Sequence, residues 1–340
     1  MPLETMIAAV GLLAVIAYAV LAGADFGGGI WDLFARGPRR DAQRDAIAHA
    51  MGPVWEANHV WLIFVIVILF TAFPAAFAAL SVGLFIPFHL VLLGIILRGA
   101  AFVFRTYAPQ RNGGAGINQM GRRWGAIFGA ASSITPVLLG MTLGAISVGT
   151  LRVINGQVIV AGLPPWLMPL SVVIGLLALA ICAYLAAVYL ANETTGALQE
   201  DFRRRALLAG TVVVGLSVVL LPLLATEAPF LWSGLTQLRA APIIVVGAGA
   251  ALLSGWALLR RQHRLARGAT VAQVACLLAG WGVAQYPFLI YPDVTLASAA
   301  ANPATLRFVL YTLPLGIALL APSLWLLFKV FKGATPKREA

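Results

Sequence analysis

The stretch GPVWEANHVWL (residues 52–62) places Glu56, Asn58 and His59 within four positions, inside an apolar run at 47–70 long enough to cross a bilayer. An ionised carboxylate at bilayer depth costs ~2.5–3.5 kcal/mol on insertion scales, so it faces protein or water rather than lipid. Read as one helix, the run puts Glu56 about 14 Å in from Ile47, with His49 seven residues before it on the same face and His59 three residues after it. Gly52 leaves room beside this stripe, and Pro53 frees a backbone carbonyl at the same level that could bind water. Burial disfavours the charged form of a carboxylate, which suits Glu56 to hold and release a proton. The chemistry is therefore a proton or ion path from one membrane edge towards the middle. A plainer reading pairs Glu56 with a cation on a neighbouring helix, with Arg98 the nearest candidate. Trp55 and Asn58 point elsewhere on the helix and read as interhelical contacts.

A second candidate lies in LAGADFGGGIWDL (residues 21–33), where Asp25 precedes three glycines. Its depth allows either an interfacial, solvated carboxylate or the mouth of the path that Glu56 continues. The glycines permit a close helix crossing or local unwinding. They do not form a phosphate loop, because neither the preceding strand nor the following Lys-Ser/Thr is present.

Metal and haem ligation are poorly supplied. Of four histidines, His49 and His263 sit at interfaces or loops, leaving His59 and His89 as intramembrane candidates about 8–10 Å apart in depth, which is awkward for one bis-histidine haem. No Cys-x-x-Cys-His or His-Glu-x-x-His pattern occurs. His89 reads as a packed, hydrogen-bonded histidine, and no metal or catalytic residue is expected in this chain.

These residues need a membrane scaffold to position them, and the composition supplies one. Of 340 residues 61% are hydrophobic and 10% charged, against about 25% charged in a soluble domain, so most of the chain does not face water. The first segment lacks the basic start of a cleavable signal and reads as a retained helix. Cys182 and Cys276 both lie in apolar runs, which argues against a disulfide. Nine spans are predicted, near 6–27, 47–70, 76–98, 124–149, 165–191, 206–225, 241–259, 269–290 and 307–331. Placing the N-terminus outside puts 20 of the 23 Lys and Arg residues in cytoplasmic segments, Arg98 among them, and leaves only Arg152, Arg239 and Arg307 outside. That asymmetry predicts a cytoplasmic C-terminus and reads the net charge of +11 as membrane sidedness rather than nucleic-acid binding. The Gly-rich basic segment 105–125 reads as loop, and Asn302-Pro303 as the cap and first turn of the last span.

The chain resembles subunit II of cytochrome bd-type terminal quinol oxidases. The resemblance covers nearly its whole length. It rests on GADFGGGIWDL (23–33), MGPVWEANHVWLI (51–63), FTAFPAAFAAL (70–80), IILRGAAFVFR (95–105), WGAIFGAASSITPVLLGMTLG (124–144) and QYPFLIYPD (285–293). It implies an all-α membrane protein of about nine transmembrane helices, built as two four-helix bundles plus one peripheral helix. The corresponding divisions are 1–150, 151–290, and 291–340 for the ninth helix and tail. It also implies a bacterial inner-membrane heterodimer with a haem-bearing subunit I, which holds haem b, haem d and the quinol-oxidising loop. Quinol and oxygen are then substrates of the complex. This chain binds no cofactor directly, apart from a possible structural quinone, and a small single-helix subunit is a further possible partner besides membrane lipid. Carried over by position, Asp25, Trp55, Glu56, Asn58 and Arg98 match the family's polar positions around a proton path. Glu56 stands where many members have aspartate, and His59 where glutamine or glutamate is common.

Two other readings compete. A proton-coupled secondary transporter would also carry an intramembrane acid and a glycine-broken helix. The second half, however, has no ionisable residue deep in a span, since Glu193, Glu227 and Asp293 lie near ends. A cytochrome acting alone would need His59 or His89 as haem ligand.

Overall fold

The computed structural model describes residues 1–51, 55–106, 119–160 and 162–332. The protein is all-helical apart from two short hairpins, because in hydrocarbon each backbone donor and acceptor must be satisfied within its own segment. The order is α1 (Leu3–Leu33), α2 (Arg40–Met51), α3 (Trp55–Ala72), α4 (Pro74–Gly83), α5 (Phe85–Thr106), α6 (Gln119–Ala145), β1 (Leu151–Ile154), β2 (Gln157–Val160), α7 (Pro169–Glu193), α8 (Gly196–Glu227), α9 (Pro229–Thr236), α10 (Ala241–Leu259), α11 (His263–Gln285), β3 (Phe288–Ile290), β4 (Val294–Thr295), α12 (Leu296–Ala299) and α13 (Pro303–Lys332). Among the described residues eight helices are long and apolar enough to span, or nine when the bent pair α3–α4 counts as one.

α1 is the central element. It packs against α3, α6 and α7, while α5 lies on α6, α8 on α7, and α10 on α11. Small residues set these crossings. On α6, Gly140 and Gly144 sit one turn apart, facing Gly175 and Ser171 of α7. A Cβ on Gly140 would come 2.7 Å from the Gly175 Cα, and one on Gly144 would come 2.6 Å from the Ser171 Cα. In the α7–α8–α10–α11 half, a chain of buried hydroxyls joins three helices. Tyr184 Oη lies 2.6 Å from Ser254 Oγ, which lies 2.6 Å from Thr270 Oγ1 and also donates to the Ala266 carbonyl. The last long helix, α13, runs beside α1 and α3 with most of its described side chains exposed, Leu306 being buried.

The structure corrects several expected boundaries. The predicted run 47–70 belongs to two helices, and residues 52–54 between them lie outside the described residues. His49 sits on the polar α2, where it is exposed, so it adds nothing to a buried stripe. The predicted span 76–98 is broken as well. α4 ends at Gly83 and α5 begins at Phe85, so the break falls at Leu84. Pro74, in the gap between the predicted spans 47–70 and 76–98, starts α4 after a 118° bend, since proline lacks the N–H that would continue α3 and its ring crowds the preceding turn. The true third span is α5, so Arg98 lies inside a helix and is buried, not in a cytoplasmic loop. Hydropathy cannot register the break at Leu84 because both pieces are apolar. Residues 119–125, expected as loop, are already α6, and Arg203, Arg204 and Arg205 lie on α8.

The hairpin β1–β2 was not anticipated, although Asn155-Gly156 is its signal. Both residues have positive φ (50° and 77°), as a two-residue type I′ turn requires. Arg152 on β1 donates two hydrogen bonds to Asp293, at 2.7 and 2.9 Å, and the Val153 N–H donates a third. These clamp the hairpin to the β3–β4 turn. They also hold the Asp293 carboxyl below its ordinary value, the Arg152 hydrogen bonds acting against partial desolvation. Asn302 caps α13 as expected, accepting from the Thr305 N–H at 2.9 Å.

Candidate functional site

The glycine run positions the site. α1 stays helical through Gly27–Gly28–Gly29 and threads between α6 and α7, so the run makes a close crossing and does not unwind. A Cβ on Gly27 would overlap the Cys182 carbonyl and come 2.6 Å from the Ala186 Cβ, and one on Gly29 would overlap the Ser132 side chain. Only hydrogen fits at these points. The same close approach brings Asp25 under cover.

Asp25 is eight residues from the C-terminal end of α1, about 12 Å along the axis, and only 3% exposed. It is therefore not the solvated interfacial carboxylate that its sequence position allowed. Its partner is Arg98 of α5, also 3% exposed, with Nη2 2.7 Å from Asp25 Oδ1. The guanidinium has further partners. Nε donates to Ser132 Oγ on α6 at 3.1 Å, Nη2 reaches the Asp25 carbonyl at 3.4 Å, and the rings of Phe26 and Phe128 lie 5.0 and 5.2 Å from its central carbon. One arginine thus ties α1, α5 and α6 together, using its fork for the charge and its faces for the aromatics. The contact to Asp25 is close but not aligned as a hydrogen bond. Neither carboxylate oxygen accepts an aligned hydrogen bond among the described residues, which leaves both with capacity for one.

α3 supplies the other side. Asn58 is buried at 5% exposure, and His59 is half-buried with its ring centroid 6.3 Å from the Tyr18 ring and 6.3 Å from the Phe26 ring. Trp55 and Glu56 open α3, but their side chains lie outside the described residues. The structure therefore brings Asp25, Arg98 and His59 to one region, with Asn58 adjacent to His59 on the same helix. His89 is elsewhere, exposed on α5, its Nδ1 2.7 Å from the Phe85 carbonyl. Among the described residues no group of three or more His, Cys, Asp or Glu could hold a metal ion.

Sequence reading missed three members of this region. Ser132 and Phe128 carried no signal, because a serine and a phenylalanine in an apolar helix are unremarkable until a cation is laid against them. Asp32 did carry one. It lies seven residues after Asp25 in the same segment, is 1% exposed, and meets Arg44 of α2, whose Nε lies 3.8 Å from Asp32 Oδ1 and also reaches the Asp32 carbonyl at 3.3 Å.

Together, fold and site define a multi-pass helical membrane protein that keeps a fixed charge pair in its interior. The family model for cytochrome bd terminal oxidase subunit II matches residues 3–331, and the chain belongs to that family. It is 27% identical over 328 residues to a putative cytochrome bd menaquinol oxidase subunit II of Bacillus subtilis, covering 93% of this chain and 92% of that one. The cytochrome bd-I ubiquinol oxidase subunit 2 of Escherichia coli K12 aligns at 27% identity over 60% of this chain and 52% of its own length. In fold, the chain matches the solved bd oxidase of Geobacillus thermodenitrificans with a TM-score of 0.82 at 23% identity, over 98% of this chain and 100% of that one.

Proposed function

We propose that this chain is the accessory subunit of a quinol:oxygen oxidoreductase. It scaffolds a haem-bearing subunit I and gives protons a way from the cytoplasm towards the oxygen-reducing site. Haem b and haem d, the quinol-oxidising loop and oxygen reduction belong to the partner. A structural quinone and a small single-helix subunit are compatible additions. The two-bundle division at 1–150 and 151–290, with 291–340 as peripheral helix and tail, is part of this reading.

The observation that carries the proposal is the buried Asp25–Arg98 pair with His59 beside it, between helices of the membrane-spanning interior. A buried pair adds little net stability compared with apolar residues of similar volume, so its retention favours a role in handling charge. Sidedness supports a cytoplasmic entry. Arg39 with Asp201, Arg205 with Gln43 and Arg203 with the Leu258 carbonyl gather at one end of the molecule, the end Asp25 lies nearer, while the Arg152–Asp293 clamp marks the other. The positive-inside rule makes the first end cytoplasmic and the N-terminus external.

The test is Glu56→Gln and Glu56→Ala in the assembled two-subunit complex, with oxygen consumption and proton uptake measured together. Loss of both in the Ala variant, with partial retention in Gln, supports the path. Unchanged turnover and uptake in both leaves the scaffolding role alone. A proton-coupled transporter is not favoured, since Glu193, Glu227 and Asp293, carboxylates of the second half, lie at helix ends or in a turn.

A further inference from the structure

The polar stripe expected on α3 has a counterpart on α1 with regular spacing. Tyr18, Asp25 and Asp32 are seven residues apart, which places all three on one face at steps of about 10 Å. Asp32 lies one residue from the end of α1, at the arginine-rich end, where Arg44 meets it. Asp25 is the middle station with Arg98. Tyr18 lies about 22 Å from that end, close to the midpoint of the helix.

Tyr18 is the least explained of the three. Its side chain is buried at 8% exposure in the core shared by α1, α3 and α7, yet its hydroxyl makes no hydrogen bond among the described residues. The Trp61 Nε1 donor, on a residue packed against the same core, is likewise buried and without a hydrogen-bond partner. A phenylalanine would fill the same volume without an orphaned oxygen, so the hydroxyl needs an account. Asp25 supplies half of it, with two carboxylate oxygens that accept no aligned hydrogen bond. His59 supplies the rest, its ring equidistant from the rings of Tyr18 and of Phe26, the residue after Asp25, so that it spans the gap between the two levels. Buried polar groups with open hydrogen-bonding capacity, clustered in this way, are where proteins hold internal water.

We propose that Tyr18 is the inner station of a hydrated proton route running along α1, with Asp32 at its mouth and Asp25 and His59 between. The inference rests on the proton-path reading above and extends it to groups that reading did not contain. Ten-ångström steps are too long for direct transfer, so water and the His59 imidazole bridge them. At Tyr18 the transfer is an exchange. The phenol accepts a hydrogen-bonded proton on its oxygen from the His59 side as its own O–H proton passes to the next water, one O–H bond forming as the other breaks, and the residue stays neutral. The charged and titratable groups acting on this hydroxyl are Asp25 on its own helix, Arg98 on α5, Cys182 on α7 and, by ring contact, His59 on α3.

The decisive variant is Tyr18→Phe in the intact oxidase complex, with Glu56→Gln alongside. Removing an unpartnered oxygen leaves packing intact, so assembly is expected to match wild type. Three quantities are read: haem reduction by quinol, the rate of proton uptake on oxygen reduction, and the solvent deuterium isotope effect on that uptake across pH. The expected result is unchanged haem reduction with uptake slowed about tenfold, one hydrogen bond's share of a barrier, and a larger isotope effect. A purely structural tyrosine would leave the isotope effect and pH profile alone. If Tyr18→Phe takes up protons at the wild-type rate and isotope effect while Glu56→Gln is slowed, the α1 route is overturned and the proton path through Glu56 stands. If neither variant is slowed, both fall. If Tyr18→Phe is slowed and Glu56→Gln is not, the route runs along α1 without Glu56. Asp32→Asn, which keeps size and a hydrogen-bonding oxygen, gives an independent reading at the mouth. Slowed uptake supports the route, and an unchanged rate removes Asp32 from it.

Discussion

The two halves of the molecule solve the same packing problem with different chemistry. Around α1, three helices are joined by a buried ion pair, Asp25–Arg98, with Ser132 completing it. Around α7, the buried contact that joins three helices is a hydroxyl chain, Tyr184–Ser254–Thr270, while charged contacts such as Arg203 to the Leu258 carbonyl and Arg267–Glu193 lie at helix ends. Hydroxyls suffice to fix interhelical register at small desolvation cost. A carboxylate and a guanidinium do the same job at a desolvation cost of several kcal/mol per ion, offset only by good geometry. Among the described residues the interior of the second half holds its helices without a buried ion pair, so the one in the first half calls for a reason beyond holding the fold.

The sharpest way to break this comparison is to unbalance the pair. Arg98→Ala leaves Asp25 buried without its cation and is expected to destabilise by about 3–5 kcal/mol, seen as loss of assembled complex or a large drop in its thermal midpoint. Replacing both residues by apolar ones, Asp25→Leu with Arg98→Met, is expected to restore assembly, because a well-packed apolar substitute is often neutral to stabilising by about 1–4 kcal/mol. Oxygen turnover should stay low in that double variant. Full turnover would mean that the charge pair serves only packing and that the two halves differ in chemistry but not in role.

A smaller effect is expected in the other half. Tyr184→Phe removes one buried hydrogen bond and should cost about 1 kcal/mol in the thermal midpoint, with turnover and its pH profile unchanged. A changed pH profile would give the hydroxyl chain a proton role and erase the distinction drawn above.

The smallest effect belongs to the clamp between the two hairpins, outside the long helices. Asp293 has a folded-state value below its ordinary one, so its contribution is fully present above the ordinary aspartate value near 4 and is lost as pH falls through the lower folded value. Asp293→Asn should therefore be slightly destabilised at neutral pH, with the difference shrinking as pH falls from about 4 through the lower folded value. Thermal midpoints at several pH values check this, and a constant difference across the range would refute the linkage.

Much of the fold was legible in the residues. The spans follow from runs that cannot face water. The Asn302 cap follows from a side-chain oxygen placed before a proline. Failures came where a property other than hydropathy governed. The break at Leu84 fell within a run that stayed apolar throughout, and Asn155-Gly156 wrote a hairpin too short to compete with the neighbouring spans. Arg98 was assigned to a loop because an arginine near the end of an apolar run is ordinarily solvated. At the site, the residue types were readable but their pairing was not. Glu56 drew attention as the lone acid of its run, while Asp25 looked interfacial by counting from a helix end and Asp32 was passed over.

By itself, the sequence determined that polar and charged groups sit within membrane-spanning helices, since composition and period are local properties. Which acid meets which base was decided only by the tertiary structure. Asp25 and Arg98 are 73 residues apart, and they meet because glycines at 27 and 29 let α1 approach α6 and α7 closely enough for one long side chain to reach across. Helix-to-helix distance is set by small residues on three separate segments acting together, and no single segment contains that information.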